Sequence, residues 1–147
     1  VNKGKPVEVF GLPETTDMLA NVLPREATNI SRRAATGIAA EVRNDIRTKA
    51  PKRTGNLKKS IKSKRDRGKK GQVSASVYVD RSGGKSGRGY HWHLVEFGAR
   101  GGNMPAQPFV VPTVEQWRPK MRTLYRERVG VELERELVKR AKKAARV

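Results

Sequence analysis

The sequence predicts an α+β fold: a long N-terminal helix and a C-terminal helix packed on a small, mainly antiparallel sheet with a basic β-hairpin. Three observations carry this. Ile30, Ala34, Ile38, Val42 and Ile46 recur at every fourth residue, a spacing that lines one face of a helix. Val73, Ala75, Val77 and Val79 alternate with Ser74, Ser76, Tyr78 and Asp80, as a half-buried strand requires. A second helical face starts near Pro112 or Thr113 and runs through Val114, Trp117, Met121, Leu124 and Val131 to Leu137 or Val138.

In chain order, Gly4, Pro6, Gly11 and Pro13 flank a short Val7–Phe10 segment that reads as an edge strand. Glu14 to Leu23 suits a short helix, capped by Thr15 or Thr16, with Met18, Leu19, Val22 and Leu23 on its apolar side. The main helix spans Arg25 to Lys49, with Arg32, Arg33, Arg43 and Arg47 off its apolar stripe. Gly37 weakens an exposed helix by about 1 kcal/mol relative to Ala, which suggests a close helix–sheet contact there. Pro51 lacks an amide hydrogen and ends this helix near Lys49. Thr54 can then cap a helical turn that Gly55 lets the chain enter, and Leu57 and Ile61 share one face of that turn.

Ile61 to Arg67 reads as a polar strand, and Asp66 to Gln72 as the turn leading into the strand at 73–79. Residues 81–89 have the composition of a loop. Tyr90 to Phe97 is a compact aromatic and apolar segment closed by Gly98, and a second loop, Ala99 to Asn103, follows it. Pro119 either lies within an early turn of the last helix or marks the start of another. The chain thus divides into an arm and short helix (1–24), one α+β domain (25–138) and a basic C-terminal tail (139–147).

Lys and Arg number 33 against 14 acids, a net charge of +19, which implies a polyanionic partner or a place in an assembly beside one. The asymmetry is densest between Arg43 and Lys70, where 13 basic residues face two acids, Asp45 and Asp66. No aromatic residue occurs from 43 to 77, so this region suits a phosphate backbone or an acidic protein better than stacked bases. The absence of cysteine excludes disulfides, Cys-ligated zinc and thiol catalysis. No apolar run approaches the roughly 20 residues of a membrane span and no signal pattern opens the chain, so a soluble protein is expected.

Gly84-Lys85-Ser86 resembles the end of a phosphate-binding loop, but Val79 stands where that motif needs its first glycine. His91, His93 and Glu96 would make a sparse metal set, and no cofactor is expected. The simpler reading packs one histidine under a loop, leaves the other solvated and puts Glu96 in an ion pair with a nearby arginine.

Three pieces then meet in order. Ala50-Pro51-Lys52-Arg53-Thr54-Gly55-Asn56-Leu57-Lys58-Lys59-Ser60-Ile61 resembles the A-P-x-x-T-G-x-L-x-x-S-I signature of a family of tailed-phage neck, head–tail joining and tail-completion (minor tail) proteins. Tyr90 to Gly98, with Glu96-Phe97-Gly98, is similar to that family's later segment, although Ala99 stands where the family commonly has Thr. Pro105-Ala106-Gln107-Pro108-Phe109 and Pro112 resemble its closing P-x-x-P-F-x-x-P run.

The resemblance implies a structural virion protein, not an enzyme, made in the host cytoplasm. It would form a homo-oligomeric ring in the neck or at the head-proximal end of the tail. A hexamer is expected, with a dodecamer as the alternative, and head-closure, tail-terminator or tail-tube proteins would be its neighbours. Double-stranded DNA would pass through the lumen without sequence recognition. Lys58, Lys59, Lys62, Lys64, Arg65, Arg67, Lys69 and Lys70 are the expected contacts to DNA or an acidic partner. Thr54, Gly55, Leu57, Ser60, Ile61, Glu96, Phe97, Gly98, Pro108, Phe109 and Pro112 form the structural or interface signature, with Leu57, Ile61 and Phe97 in the core or a subunit interface. There are two rivals: an RNA-binding module of ribosomal type, which rests on basicity alone, and a small basic ribonuclease using His91, His93 and Glu96.

Overall fold

A computed structural model describes residues 7–10, 26–52, 55–66, 72–82, 89–102 and 104–145. The elements are β1 (Val7–Phe10), α1 (Ala27–Lys49), α2 (Asn56–Ser60), β2 (Ile61–Arg65), β3 (Ser74–Val79), α3 (Trp92–Phe97) and α4 (Val111–Ala144). The expected helix at Glu14–Leu23, Thr54, the hairpin tip at 67–71 and the Gly84-Lys85-Ser86 segment lie outside the described residues.

The fold is α+β, as expected. β3 is the central strand of an antiparallel sheet in the order β1-β3-β2, with Val7 opposite Val77 and Ile61 opposite Val79. Val73, Ala75 and Val77 are buried, as the alternation predicts. Ser76 is buried too, because its hydroxyl donates to the Asp66 carboxylate. α1 packs against both the sheet and α4. Its stripe Ile30, Ala34, Ile38, Val42 and Ile46 is almost wholly inaccessible, and Ala35 and Ala39 widen it. At 100° per residue, the buried positions of α1 cover about half its circumference. The helix ends at Ala50, whose amide donates to the Ile46 carbonyl at 2.9 Å before the chain turns extended into Pro51.

Gly37 does not meet the sheet. A Cβ there would lie 2.5 Å from an Nη of Arg128, so the close neighbour is α4. Arg128 crosses α1 at this point to pair with Glu41. Farther along the same seam the Trp117 indole N–H donates to Asp45 Oδ2 at 2.7 Å, and Lys49 Nζ donates to Asp45 at 3.3 Å and to Gln116 at 2.6 Å. The Trp117 hydrogen bond, helped by Lys49, holds the Asp45 carboxyl below its usual range.

α4 is one continuous helix with Pro119 in an early turn, so Pro119 starts no second helix. Its ring removes the hydrogen bond to the Glu115 carbonyl, and both residues are exposed enough for water to replace it. The buried face of α4 runs through Thr113, Trp117, Tyr125 and Val129, with Met121, Leu124 and Leu133 packed beside it. Val131, Leu137 and Val138, expected on that face, point to solvent. The inward positions advance by four residues from 113 to 133, which turns Val131 outward.

Ile38→Ala should lower unfolding free energy by about 2–5 kcal/mol, as deletion of a fully packed side chain does. Val131→Ala should change it by no more than about 0.5 kcal/mol. Urea unfolding of both variants checks the assignment of the two faces.

Candidate functional site

The signature after Pro51 builds a turn whose parts hold one another. Gly55 stands at the N-cap of α2 with φ of 75°, a left-handed conformation that favours glycine. Leu57 packs against the core, and Ile61 lies within it. The Ser60 hydroxyl donates to the Leu57 carbonyl at 2.6 Å, and the Ser60 carbonyl accepts from the Asp80 amide at 2.7 Å. Gly89 closes over this joint. A Cβ there would sit 2.5 Å from the Asp80 carbonyl oxygen and 2.8 Å from Ser60 Oγ.

The second and third signature pieces form a clip. Glu96, buried at the end of α3, accepts amide hydrogen bonds from Phe109 (2.8 Å) and Val110 (2.9 Å) on Oε2 and from Val111 (2.8 Å) on Oε1. These amides open α4, where unpaired N–H groups and the helix dipole favour an anionic acceptor. Glu96 therefore makes no ion pair among the described residues; it caps a helix. Gly98, at φ of 78°, leaves α3, and a Cβ there would be 3.0 Å from the Met104 carbonyl oxygen. The Gln107 amide donates to the Val95 carbonyl at 2.8 Å, and Thr113 Oγ1 donates to the Phe109 carbonyl at 2.6 Å. Phe109 is buried beneath the clip, whereas Pro108 and Pro112 are exposed. Phe97 is 64% exposed and is no part of the core, which leaves the interface half of its expected role.

This clip removes the chemistry considered for Glu96. Both carboxylate oxygens are engaged by amides, so it is not placed to act as a general base. His91 sits at the N-cap of α3 and His93 within it, and residues two apart on a helix do not face each other. Among the described residues no three His, Cys, Asp or Glu side chains gather as metal ligands.

The expected basic contacts divide by partner. Lys62 Nζ pairs with Asp80 at 2.5 Å, and Lys64 lies 3.8 Å from Asp66 and over the Tyr78 ring. Lys58 Nζ reaches the Thr48 carbonyl at 3.5 Å, and Lys59 is exposed. Arg65 is exposed and has no carboxylate partner among the described residues. Arg67, Lys69 and Lys70 lie outside the described residues.

Sequence reasoning places the arginines of α1 off the apolar stripe but assigns them no contact. The Arg47 Nε donates to the Ile61 carbonyl at 2.8 Å, and Arg43 donates to Ser63 Oγ at 3.2 Å and to Asn44. Neutral acceptors fix both guanidinium groups without cancelling their charge. Burial, then the charge of Arg43, lowers the Arg47 pKa. The available signal was the recurrence of Arg32, Arg43 and Arg47 on the helix face opposite the apolar stripe.

Two outcomes test this geometry. Glu96→Ala leaves three amides without their acceptor and should lower stability by about 2–4 kcal/mol in urea unfolding, with Glu96→Gln, which keeps one carbonyl oxygen, closer to the native protein. The Lys62 hydrogen bond, with those from Ser82, draws the Asp80 carboxyl down to about 2. A carboxylate with a lowered pKa stabilises the fold above its unfolded value near 3.8, and this contribution fades as pH falls toward 2. Carboxyl NMR titration should show the Asp80 pKa rising toward the ordinary range in Lys62→Met.

No curated protein and no solved structure matches the chain significantly. A family model described as "Bacteriophage HK97-gp10, putative tail-component" matches residues 15–98, more than half of the chain. The match includes α1, the Gly55–Ile61 joint and Glu96-Phe97-Gly98. The chain belongs to the HK97-gp10-like family of bacteriophage tail components, and it is a structural protein of the virion.

Proposed function

We propose that this tail component forms a homo-oligomeric ring, hexameric in the simplest case, in the neck or at the head-proximal end of the tail. There it joins head to tail around the DNA path, beside head-closure, tail-terminator or tail-tube proteins, and has no catalytic role. The observation that carries the reading is the charge excess of a +19 chain, part of which, Lys62, Lys64 and Arg65, is exposed along β2. Duplex DNA carries about one negative charge per 1.7 Å of axis, a polyanion against which such a surface would be stable in a ring. Contacts through flexible lysines are sequence-independent and salt-screened, which suits a channel that DNA must traverse.

Phe97 supports the ring itself. A large aromatic side chain held out to solvent by a buried, hydrogen-bonded clip is suited to burial against a second copy. Closed rings arise from head-to-tail contacts of this kind when the rotation closes.

Phage carrying Lys62→Glu, Lys64→Glu, Arg65→Glu and Lys69→Glu should express a folded monomer, somewhat less stable than the native chain because Lys62 no longer pairs with Asp80. Yields of infectious, DNA-filled particles should fall sharply. Normal yields would remove the β2 surface from the proposed role.

A further inference from the structure

The outer edge of β2 runs antiparallel alongside α1. Arg47 reaches the carbonyl of Ile61, and Arg43 reaches the side chain of Ser63. The next step of this seam would pair Arg65 with α1 near residues 36–40, and there the helix carries only Thr36, Gly37 and Ala40. These side chains are too short to bridge helix to strand, and a cleft of about 850 Å³ opens between them. Arg65 lies on its strand side and Arg32 and Asn29 on its helix side.

Arg33 also borders the cleft, but its guanidinium lies 3.6 Å and 3.7 Å from Glu132 and Glu136 on α4. Arg32 and Arg65 have no carboxylate partner among the described residues, and Arg43 and Arg47 continue the same positive line on neutral acceptors. From Arg32 to Arg47 the line extends about 22 Å at 1.5 Å per residue. The amides of Ser60's and Asp66's neighbours follow the strand alternation: Ser60 and Asp66 bond to the β3 side, so the Arg65 backbone N–H turns toward the outer edge.

We infer that this cleft, floored by Thr36 and Ala40 and flanked by Arg32 and Arg65, is a phosphodiester site that seats one strand of duplex DNA along α1. The inference rests on the proposed DNA-path role and names the surface that faces the DNA. A protein partner would need an aromatic or bulky apolar anchor at the centre of its interface, and the cleft lining has no aromatic residue and no apolar side chain larger than that of Ala40. Single-stranded nucleic acid would need aromatic platforms, which are also missing from the lining. Backbone phosphates need what is present: guanidinium forks at high local density and a floor low enough for close approach.

The test uses the full chain, a mixed-sequence duplex and fluorescence anisotropy between about 50 and 200 mM salt, where each phosphate contact contributes about −0.9 to the log–log slope. Arg32→Gln with Arg65→Gln should weaken binding about tenfold at the lower salt and flatten the slope by about 2. Ala40→Glu, which places a carboxylate on the cleft floor without removing an arginine, should weaken binding comparably. Lys62→Gln with Lys64→Gln, outside the cleft, should have the smaller effect. Native affinity and slope in both cleft variants, with binding lost in the lysine variant, would overturn the cleft and leave the DNA-path reading standing. Native DNA binding in cleft variants that fail to assemble into particles would reassign the cleft to an acidic protein and overturn it too. No salt-dependent duplex binding by the native chain would overturn both the cleft and the DNA-facing surface.

Discussion

The burial of α1 against both the sheet and α4 constrains everything else in the molecule. About half of the helix circumference is apolar or small and inaccessible, including Ile30, Ala34, Ala35, Ile38, Ala39 and Val42. Such a helix has little freedom to rotate, because a turn by one residue would drive arginines into the core and expose the stripe. The face that remains carries Arg32, Arg43 and Arg47. Core packing thus fixes where the positive charge is displayed, and the seam with β2 fixes how it is held. Arg47 also covers the outward carbonyl of Ile61, which protects an edge strand from pairing with another chain while leaving the guanidinium charged.

The clip at Glu96 plays a complementary part at the other end of the fold. One carboxylate gathers three amides at the start of a 34-residue helix and sets the angle at which α4 leaves the short α3. Gly98 and the Pro108-Phe109 run are then geometrical necessities, the first for a positive φ and the second to bury Phe109 under the joint. A residue pattern that reads as a family signature is here the set of parts for a helix cap. The by-product is an exposed Phe97 on a rigid mount.

Much of this was legible in the sequence, and the limits have physical causes. The α1 stripe was clear because its four-residue spacing persists over five positions without an interrupting proline. β3 was clear from alternation, and Pro51 from its missing amide. The α4 face was only partly legible: Tyr125 and Val129 face inward while Val131, Leu137 and Val138 do not, and apolarity alone does not say which way a long helix is turned. Glu96 was singled out by resemblance, yet its role depends on amides 13 to 15 residues away, which no local pattern reveals. Gly37 was read against the sheet because the Arg128 crossing is 91 residues distant in sequence. The hairpin lysines stood out by density, but density does not distinguish Lys62, paired with Asp80, from Arg65, which has no carboxylate partner among the described residues.

A tail component with this charge and these two rigid joints is accounted for if copies close into a ring and turn α1 toward the DNA. Electron cryomicroscopy of the intact particle tests that most directly. The account predicts a closed ring of this chain at the head-proximal end of the tail, with Arg32, Arg43 and Arg65 lining the channel and Phe97 buried between neighbouring copies. A ring elsewhere, or one with α1 turned away from the channel and Phe97 in solvent, would contradict it.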